Sequence, residues 1–294
     1  MRILEIFKMI LNVFHPLFIL NLFKKIMPLF LFNFILILLV NLNFYFFFNS
    51  KIFKKNTIFK NRSSNKAGFL LATGPSIKYQ NLKKLKNFDC FSLSSFFFHK
   101  DLKTIKPKFH FLAPYHEPIP INDWIKWIKL ADNYLPKETI IVLSIKDKSR
   151  IERFKLFKNR EIFYLYFSSF IKIKNTIDIT KPLPPLCTGP LMVLPFMIYM
   201  GYKTIYLVGC DSDNLKNYGK NIKNFYNQKL EVKRGSDKPW KLGIIKELEN
   251  NLRVFNEFNN YKIFCKKNNI KIINLSKNSW LDFFDKKNFN KIVN

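Results

Sequence analysis

The stretch from Gly68 to Lys78, GFLLATGPSIK, runs from apolar residues through a tight turn into an amphipathic segment. Gly74 supplies backbone freedom, Pro75 suits a first helical position and Ser76 adds a capping hydroxyl. Unpaired amides at such a helix start attract phosphate. Thr73, Gly74, Pro75 and Ser76 are therefore candidates for holding a phosphorylated ligand. A second start of this kind, Cys187-Thr188-Gly189-Pro190, follows the rigid PLPP run that ends at Pro185. Asp211-Ser212-Asp213 follows the apolar run TIYLVGC. Carboxylates at i and i+2 can hold a divalent cation on a nucleotide diphosphate. Asp211 alone can instead bond a ribose hydroxyl or cap a turn. His116, in APYHEPIP, lies between prolines that stiffen its loop, where it can act as a general base or pair with phosphate. Tyr218 and Tyr226 can steady an anionic leaving group or simply pack.

These residues need a scaffold that brings them together. Strand-like runs recur at 68–72, 90–93, 109–113, 139–143, 161–166, 204–209 and 271–275. Helical patterns at 79–86, 123–133, 191–200 and 246–267 fall between several of them. Alternation of this kind predicts an α/β domain: a Rossmann-like, mostly parallel sheet with helices on both faces. Ligands then bind beyond the carboxyl ends of the strands, where Thr73 to Ser76, His116, Asp211 and Asp213 fall. Residues 212–243 are polar and rich in Lys and Asn, which reads as a lid or a disordered segment; its cations form a solvated face or, more sharply, a funnel for an anionic substrate.

The net charge is +30 over 294 residues, but Lys, Asn, Ile and Phe are abundant throughout and the cations are not gathered into one stripe. That argues against specific nucleic-acid binding and leaves anionic lipid or a phosphorylated substrate as the attraction. Four cysteines, none in a C-x-x-C pair, lie in or beside apolar runs, as buried reduced thiols do. No zinc site is expected. Residues 26–48, IMPLFLFNFILILLVNLNFYFFF, carry no charge. As a helix they would be about 35 Å long, enough to cross a bilayer core. Residues 1–48 are expected to anchor the chain, with 1–23 as an interfacial helix or the first arm of a hairpin. Residues 49–65 read as a basic juxtamembrane linker, and the globular domain is expected over 66–294. Cations after the span outnumber those before it, which places the C-terminal domain on the cytoplasmic side of an inner membrane.

Three segments, GFLLATGPSIK, FDCFSLSSFFF and CTGPLMVLPFMIYMGYKTIYLVGCD, resemble in the same order the bacterial sialyltransferases of glycosyltransferase family 42. Those enzymes use a G-N-G-P-S turn, a C-N-Q-F-type strand end and a T-S-G helix start leading to G-Y-K-x-I-Y-L-x-G-x-D. The tail IKIINLSKNSWL is similar to their last strand and N-S-L-type turn. The resemblance spans residues 66–285 with gaps. The G-P-S turn and GYKTIYLVGCD also resemble the wider DUF115 group, which includes motility accessory factor glycosyltransferases and pterin diphosphokinase-like (MptE-like) proteins.

The resemblance implies a domain that binds a CMP-activated nonulosonic acid and transfers the sugar, with no cofactor required. By position, Thr73 to Ser76 would approach the donor phosphate and ribose. Ser94 and Ser95 would stand where an Asn-Gln pair touches the nucleotide. Thr188 and Gly189 would line the donor, and Asn278 and Ser279 would contact the cytidine end. Tyr218 falls one residue from a phosphate-holding tyrosine. The departures are specific. Thr73 replaces an asparagine, the asparagine expected near Ala113 is absent, and Asp213 stands where another phosphate-holding tyrosine belongs. The family's catalytic histidine lies in the lid, whereas this chain has no histidine after His116. The anchor is N-terminal here and C-terminal there.

The leading expectation is a membrane-anchored glycosyltransferase of surface-glycan (lipooligosaccharide) assembly. It would transfer a nucleotide-activated, CMP-linked sugar to a glycan or lipid-linked acceptor. His116 or Asp213 would deprotonate the acceptor hydroxyl, while helix-start amides and Tyr218 would stabilise the leaving phosphate. One rival is a phosphotransferase of the pterin diphosphokinase type, with magnesium on Asp211 and Asp213. The other is a non-catalytic nucleotide-sugar-binding protein.

Overall fold

The apolar runs form strands where the sequence predicts them: β1 (Ala67–Leu71), β2 (Asp89–Leu93), β3 (Phe109–Phe111), β4 (Ile140–Ser144), β5 (Ile162–Leu165), β6 (Thr204–Val208) and β7 (Lys271–Asn274). A two-residue strand, β8 (Asp285–Lys286), is too short to carry a pattern. The computed structural model describes residues 28–47, 50–64, 66–117, 119–173, 175–219, 225–226 and 243–293. All eight strands join one parallel sheet in the order β5-β4-β3-β2-β1-β6-β7-β8. Successive side chains of β1 enter opposite cores: Leu70 packs with the helices Pro190–Tyr199 and Gly243–Lys267, Phe69 and Leu71 with the helix Ile121–Tyr134. The fold is an α/β, Rossmann-like sheet covered on both faces. The predicted helix over 79–86 is replaced by two short 3₁₀ turns, Pro75–Tyr79 and Leu82–Leu85. None of the four cysteines is paired.

The chain divides into two compact units, residues 1–49 and 50–294. In the first, the helix Leu29–Phe47 buries one stripe, Leu36, Val40 and Phe44, and exposes Phe30, Phe34, Leu38 and Leu42. Among the described residues no helix is long and apolar enough to cross a membrane. The expected first arm at 1–23 lies outside the described residues.

The second unit begins earlier than the linker expectation for 49–65 allows. The helix Ser50–Lys54 and the turn Lys55–Phe59 place Phe53, Asn56 and Phe59 inside, about one turn apart. Phe59 packs edge-on against Phe109 and Phe163. The Asn56 amide donates to the carbonyls of Tyr164 (3.0 Å) and Ile179 (2.9 Å). The lysines that made this stretch look like a linker are only its outer side.

Candidate active site

The strand order fixes where a ligand can bind. From β1 the chain winds outward to β5, then returns to place β6 on the other side of β1. Connections therefore lead away in opposite directions at the exits of β1 and β6, and this opens a crevice. The two exits are bonded to each other: Ala72 donates to the Val208 carbonyl and Gly74 to the Gly209 carbonyl, each at 2.8 Å.

Gly74 is required here for closeness rather than for an unusual angle. Its φ of −63° and ψ of 152° suit any residue. A Cβ at this position would lie 2.5 Å from the Gly209 carbonyl oxygen and 2.6 Å from Asp211 Oδ2. Gly209 does need its freedom, at φ +68°. The Ser76 amide donates to Asp211 Oδ2 at 2.8 Å, and the Ser76 hydroxyl donates to Oδ1. The amide read as a phosphate donor thus already holds a carboxylate from the chain itself. The short 3₁₀ turn that follows adds little dipole. Burial pushes the Asp211 carboxyl above the usual range, the Ser76 bonds pull it down, and nearby Asp213 adds to the rise. Thr73, Gly74 and Pro75 are half-buried at the crevice.

On the β7 side the loops are sewn to the same exit. The Cys210 amide donates to Ser276 Oγ (2.9 Å), and the Ser279 hydroxyl donates to the Cys210 carbonyl (2.6 Å) while accepting from the Leu281 amide (3.1 Å). Ser279 therefore spends its hydroxyl on the fold, whereas Asn278 is exposed. The Trp280 amide donates to the Asp211 carbonyl at 2.8 Å. Its indole, 41% exposed, borders an open cavity of about 560 Å³ lined by Phe255, Ser279, Trp280, Asp282 and Phe283.

On the β2 side, Ser94 takes a left-handed φ of +50°, a strained conformation for a non-glycine residue. Gly189 seats the start of the helix Pro190–Tyr199 on this exit; a Cβ there would meet Leu93 Cδ1 at 2.8 Å and Ser94 Oγ at 3.8 Å. Thr188, Gly189 and Ser94 thus share one half-buried corner. Ser95 turns inward and accepts from the Trp127 indole at 3.0 Å.

The exits of β3 and β4 hold His116. It is exposed, and its Nδ1 lies 3.2 Å from the Glu117 carbonyl oxygen. That oxygen can only accept, so in the neutral ring Nδ1 carries the proton and Nε2 is the basic nitrogen. The preceding residue is clamped. The Tyr115 amide donates to both oxygens of the buried Asp147 (3.2 and 3.1 Å), and the Arg150 guanidinium lies 4.6 Å over the Tyr115 ring while bonding Asp147. Burial pushes the Asp147 carboxyl up, and the Tyr115 amide and Arg150 pull the other way. Sequence reasoning missed Asp147. Its signal was a lone aspartate just after the β4 run, a strand exit like those that supplied the other candidates.

The structure gathers Thr73 to Ser76, Asp211 and Ser279 around one crevice, with Thr188, Gly189 and Ser94 on the adjoining strand. It does not bring His116 to them directly: β2 separates β3 from β1, so the exits of β1 and β3 lie about 10 Å apart. Asp213 precedes the short turn Asn214–Asn217, and Tyr218 follows it, exposed. Most of the 212–243 lid lies outside the described residues. Of its described part, Phe225 and Tyr226 pack on Phe96, Phe98 and His99 beyond β2. Among the described residues no group of three or more His, Cys, Asp or Glu is placed to hold a metal ion.

No family model matches the chain, and no curated protein does. Among solved structures it is similar to monomeric CstII, with 19% identity over 75% of this chain and 85% of that one and a TM-score of 0.38. It is also similar to a variant of the sialyltransferase CST-II in complex with CMP, with 18% identity over 74% of this chain and 85% of that one and a TM-score of 0.35.

Proposed function

We propose that this chain is a glycosyltransferase that takes a sugar from a nucleotide donor, CMP-linked and of the nonulosonate type, and passes it to a hydroxyl of a glycan or lipid-linked acceptor. One observation carries the reading: the Gly74-Pro75-Ser76 turn and Gly209-Cys210-Asp211, 135 residues apart at Ser76 and Asp211, meet at the single switch point of the sheet. In the motif order described above, these are the pieces that resemble family 42.

The donor lies across the exits of β1 and β6, its phosphate near Thr73, Thr188 and Gly189. The nucleobase rests on Trp280, in the aromatic cavity beside Asp211. The acceptor sits over the exit of β2, because that is the strand between the donor and His116. His116 Nε2 takes the proton of the acceptor hydroxyl, and the oxygen forms its bond to the anomeric carbon. The bond from that carbon to the donor phosphate oxygen breaks, and the electron pair leaves on the nucleotide monophosphate. Tyr218 is the donor to that phosphate. Asp213, at the β6 exit, is the alternative base. The apolar residues of 26–48 hold the enzyme at an inner membrane, with the catalytic unit on the cytoplasmic side.

The test is turnover of a CMP-activated nonulosonate by the full-length chain, followed as CMP release. His116→Ala should lower kcat about 100-fold or more and leave donor KM nearly unchanged, as loss of a general base does. Asp213→Ala having that effect instead moves the base to β6. Absence of turnover with any activated sugar, while donor still binds, favours the non-catalytic reading.

A further inference from the structure

The strands enter the sheet along one edge and leave it along the other. β3 is three residues long, and its middle residue, His110, lies between the entry edge and the exit edge with no exposure at all. The register sets it directly beside Ser92 of β2 on one side and Ile141 of β4 on the other. Ser92 is fully buried too, and the two side chains meet: Ser92 Oγ lies 2.7 Å from His110 Nδ1. The same hydroxyl is 3.4 Å from the Phe109 carbonyl oxygen, a long contact. The Ser92 proton therefore goes to Nδ1, and the neutral ring keeps its own proton on Nε2. Nε2 is buried without a hydrogen bond. The Ser94 backbone is near enough to favour a proton on the ring but is not aligned to bond it.

Burial pushes the imidazole down to about 3, so it stays neutral at physiological pH and moves no proton. An apolar side chain would fill the same space without desolvating two nitrogens. What the ring touches is the turn that leaves β2. Ser92 lies two residues before Ser94, and Phe97, three residues after it, packs edge-on against the imidazole at 5.9 Å. The ring thus grips both sides of Ser94, the residue held at a φ of +50°. Such a conformation persists in a non-glycine residue only where the surroundings over-determine it. The next residue is held as well, by the Trp127 indole on Ser95 Oγ. The Ser94 hydroxyl is left over. It bonds no group of the chain among the described residues, and it lies 3.8 Å from where a Cβ of Gly189 would stand.

We propose that His110 is a positioning residue: by holding Ser94 in its left-handed conformation, it aims the Ser94 hydroxyl at the donor phosphate beside Thr188 and Gly189. This role rests on the donor placement proposed above. His110 itself touches no substrate.

The experiment is a double-mutant cycle on CMP binding, measured by calorimetry with the full-length chain in detergent. His110→Leu keeps the core filled and should weaken CMP binding about ten-fold, the loss expected for a hydrogen bond to a charged group. His110→Gln, whose amide reaches about as far as Nε2, should recover most of that loss. In the Ser94→Ala background, His110→Leu should weaken binding by less than about two-fold further, because no hydroxyl remains to be aimed. Equal losses in the two backgrounds make His110 a packing residue and overturn the proposal. If His110→Leu does not fold, Ser92→Ala, which only frees the ring, takes its place in the cycle with the same expected signs. Ser94 is also read without ligand, from its 13C shifts in the serine-labelled chain. His110→Leu should move them toward those of an extended residue, and unchanged shifts overturn the proposal. A wild-type chain that binds no CMP sinks the donor placement, and the Ser94 shifts then decide whether His110 holds the turn.

Discussion

The two edges of this sheet treat carboxylates in opposite ways. At the entry edge, burial alone would push Asp89 up, but Lys108, the Tyr202 hydroxyl and Lys66 together hold it below the ordinary range. At the exit edge, Asp211 and Asp147 are buried under loops, and burial outweighs the hydrogen bonds each receives, so both lie above that range. The entry edge meets solvent and balances charge with charge. The exit edge draws charge into drier surroundings to hold turns in place, which is how sites for chemistry are commonly built. The exit edge has its own gradation. Asp211 fixes the crevice itself and faces a like charge in Asp213. Asp147 fixes a neighbouring loop and has Arg150 to offset its charge.

The largest break in this contrast should come from Asp211→Ala. It strands the Ser76 amide and hydroxyl, both buried, and should cost about 3 kcal/mol in a denaturant melt, together with nucleotide binding. Gly74→Ala comes next, because its Cβ has backbone and carboxylate within 2.6 Å. A cost of about 2 kcal/mol is expected from such overpacking, and a crevice shifted by the Gly209 strand should bind nucleotide more weakly. Asp147→Asn keeps an acceptor for the Tyr115 amide but loses the charge that Arg150 answers. Stability should fall by about 1 kcal/mol, with a larger fractional loss in kcat than in donor KM, since the loop it holds carries His116 and not the donor.

The smallest effect is also the sharpest, because its sign differs between the edges. Asp211 has a raised folded-state pKa. Its contribution is fully present below the unfolded value and is lost as pH rises through the folded one. Asp89 has a lowered folded-state pKa. Its contribution is present above the unfolded value and is lost as pH falls through the folded one. Melts between about pH 3 and pH 7 should show Asp89→Asn removing an acid-side loss of less than about 1 kcal/mol. Asp211→Asn should instead remove a loss on the neutral side. The same sign for both variants would contradict the distinction between the edges.

Much of this was legible along the chain. The apolar runs predicted the strands β1 to β7 to within two residues at each end, because strands buried on both faces need near-continuous apolar sequence. The crevice residues were legible as strand exits, but the bonds among them were not. Ser76 and Asp211 both stood out separately, and only the strand order makes them partners. Asn56 had no signal at all. Its two carbonyl partners lie more than 100 residues away, and its neighbours are lysines whose outer face hid an inward stripe. Gly74 was singled out for its freedom of angle and is needed for its lack of a side chain, a distinction that depends on Gly209 and Asp211 across the crevice. Asp147 belonged to no motif, since a residue that positions a loop needs only one carboxylate in the right place.

The proposed site at the exits of β1 and β6 takes a cytidine nucleotide. Its most direct test is a thermal-shift series on the full-length chain in detergent with CMP, CDP, UDP, GDP and ATP, each with and without magnesium. A ligand at about 100 times its Kd adds roughly 2.7 kcal/mol to the folded state. For a domain of this size that is a rise in Tm of about 5 °C or more. Such a rise is expected with CMP, undiminished when magnesium is withheld. A rise confined to di- or triphosphates with magnesium, or none with CMP, would contradict it.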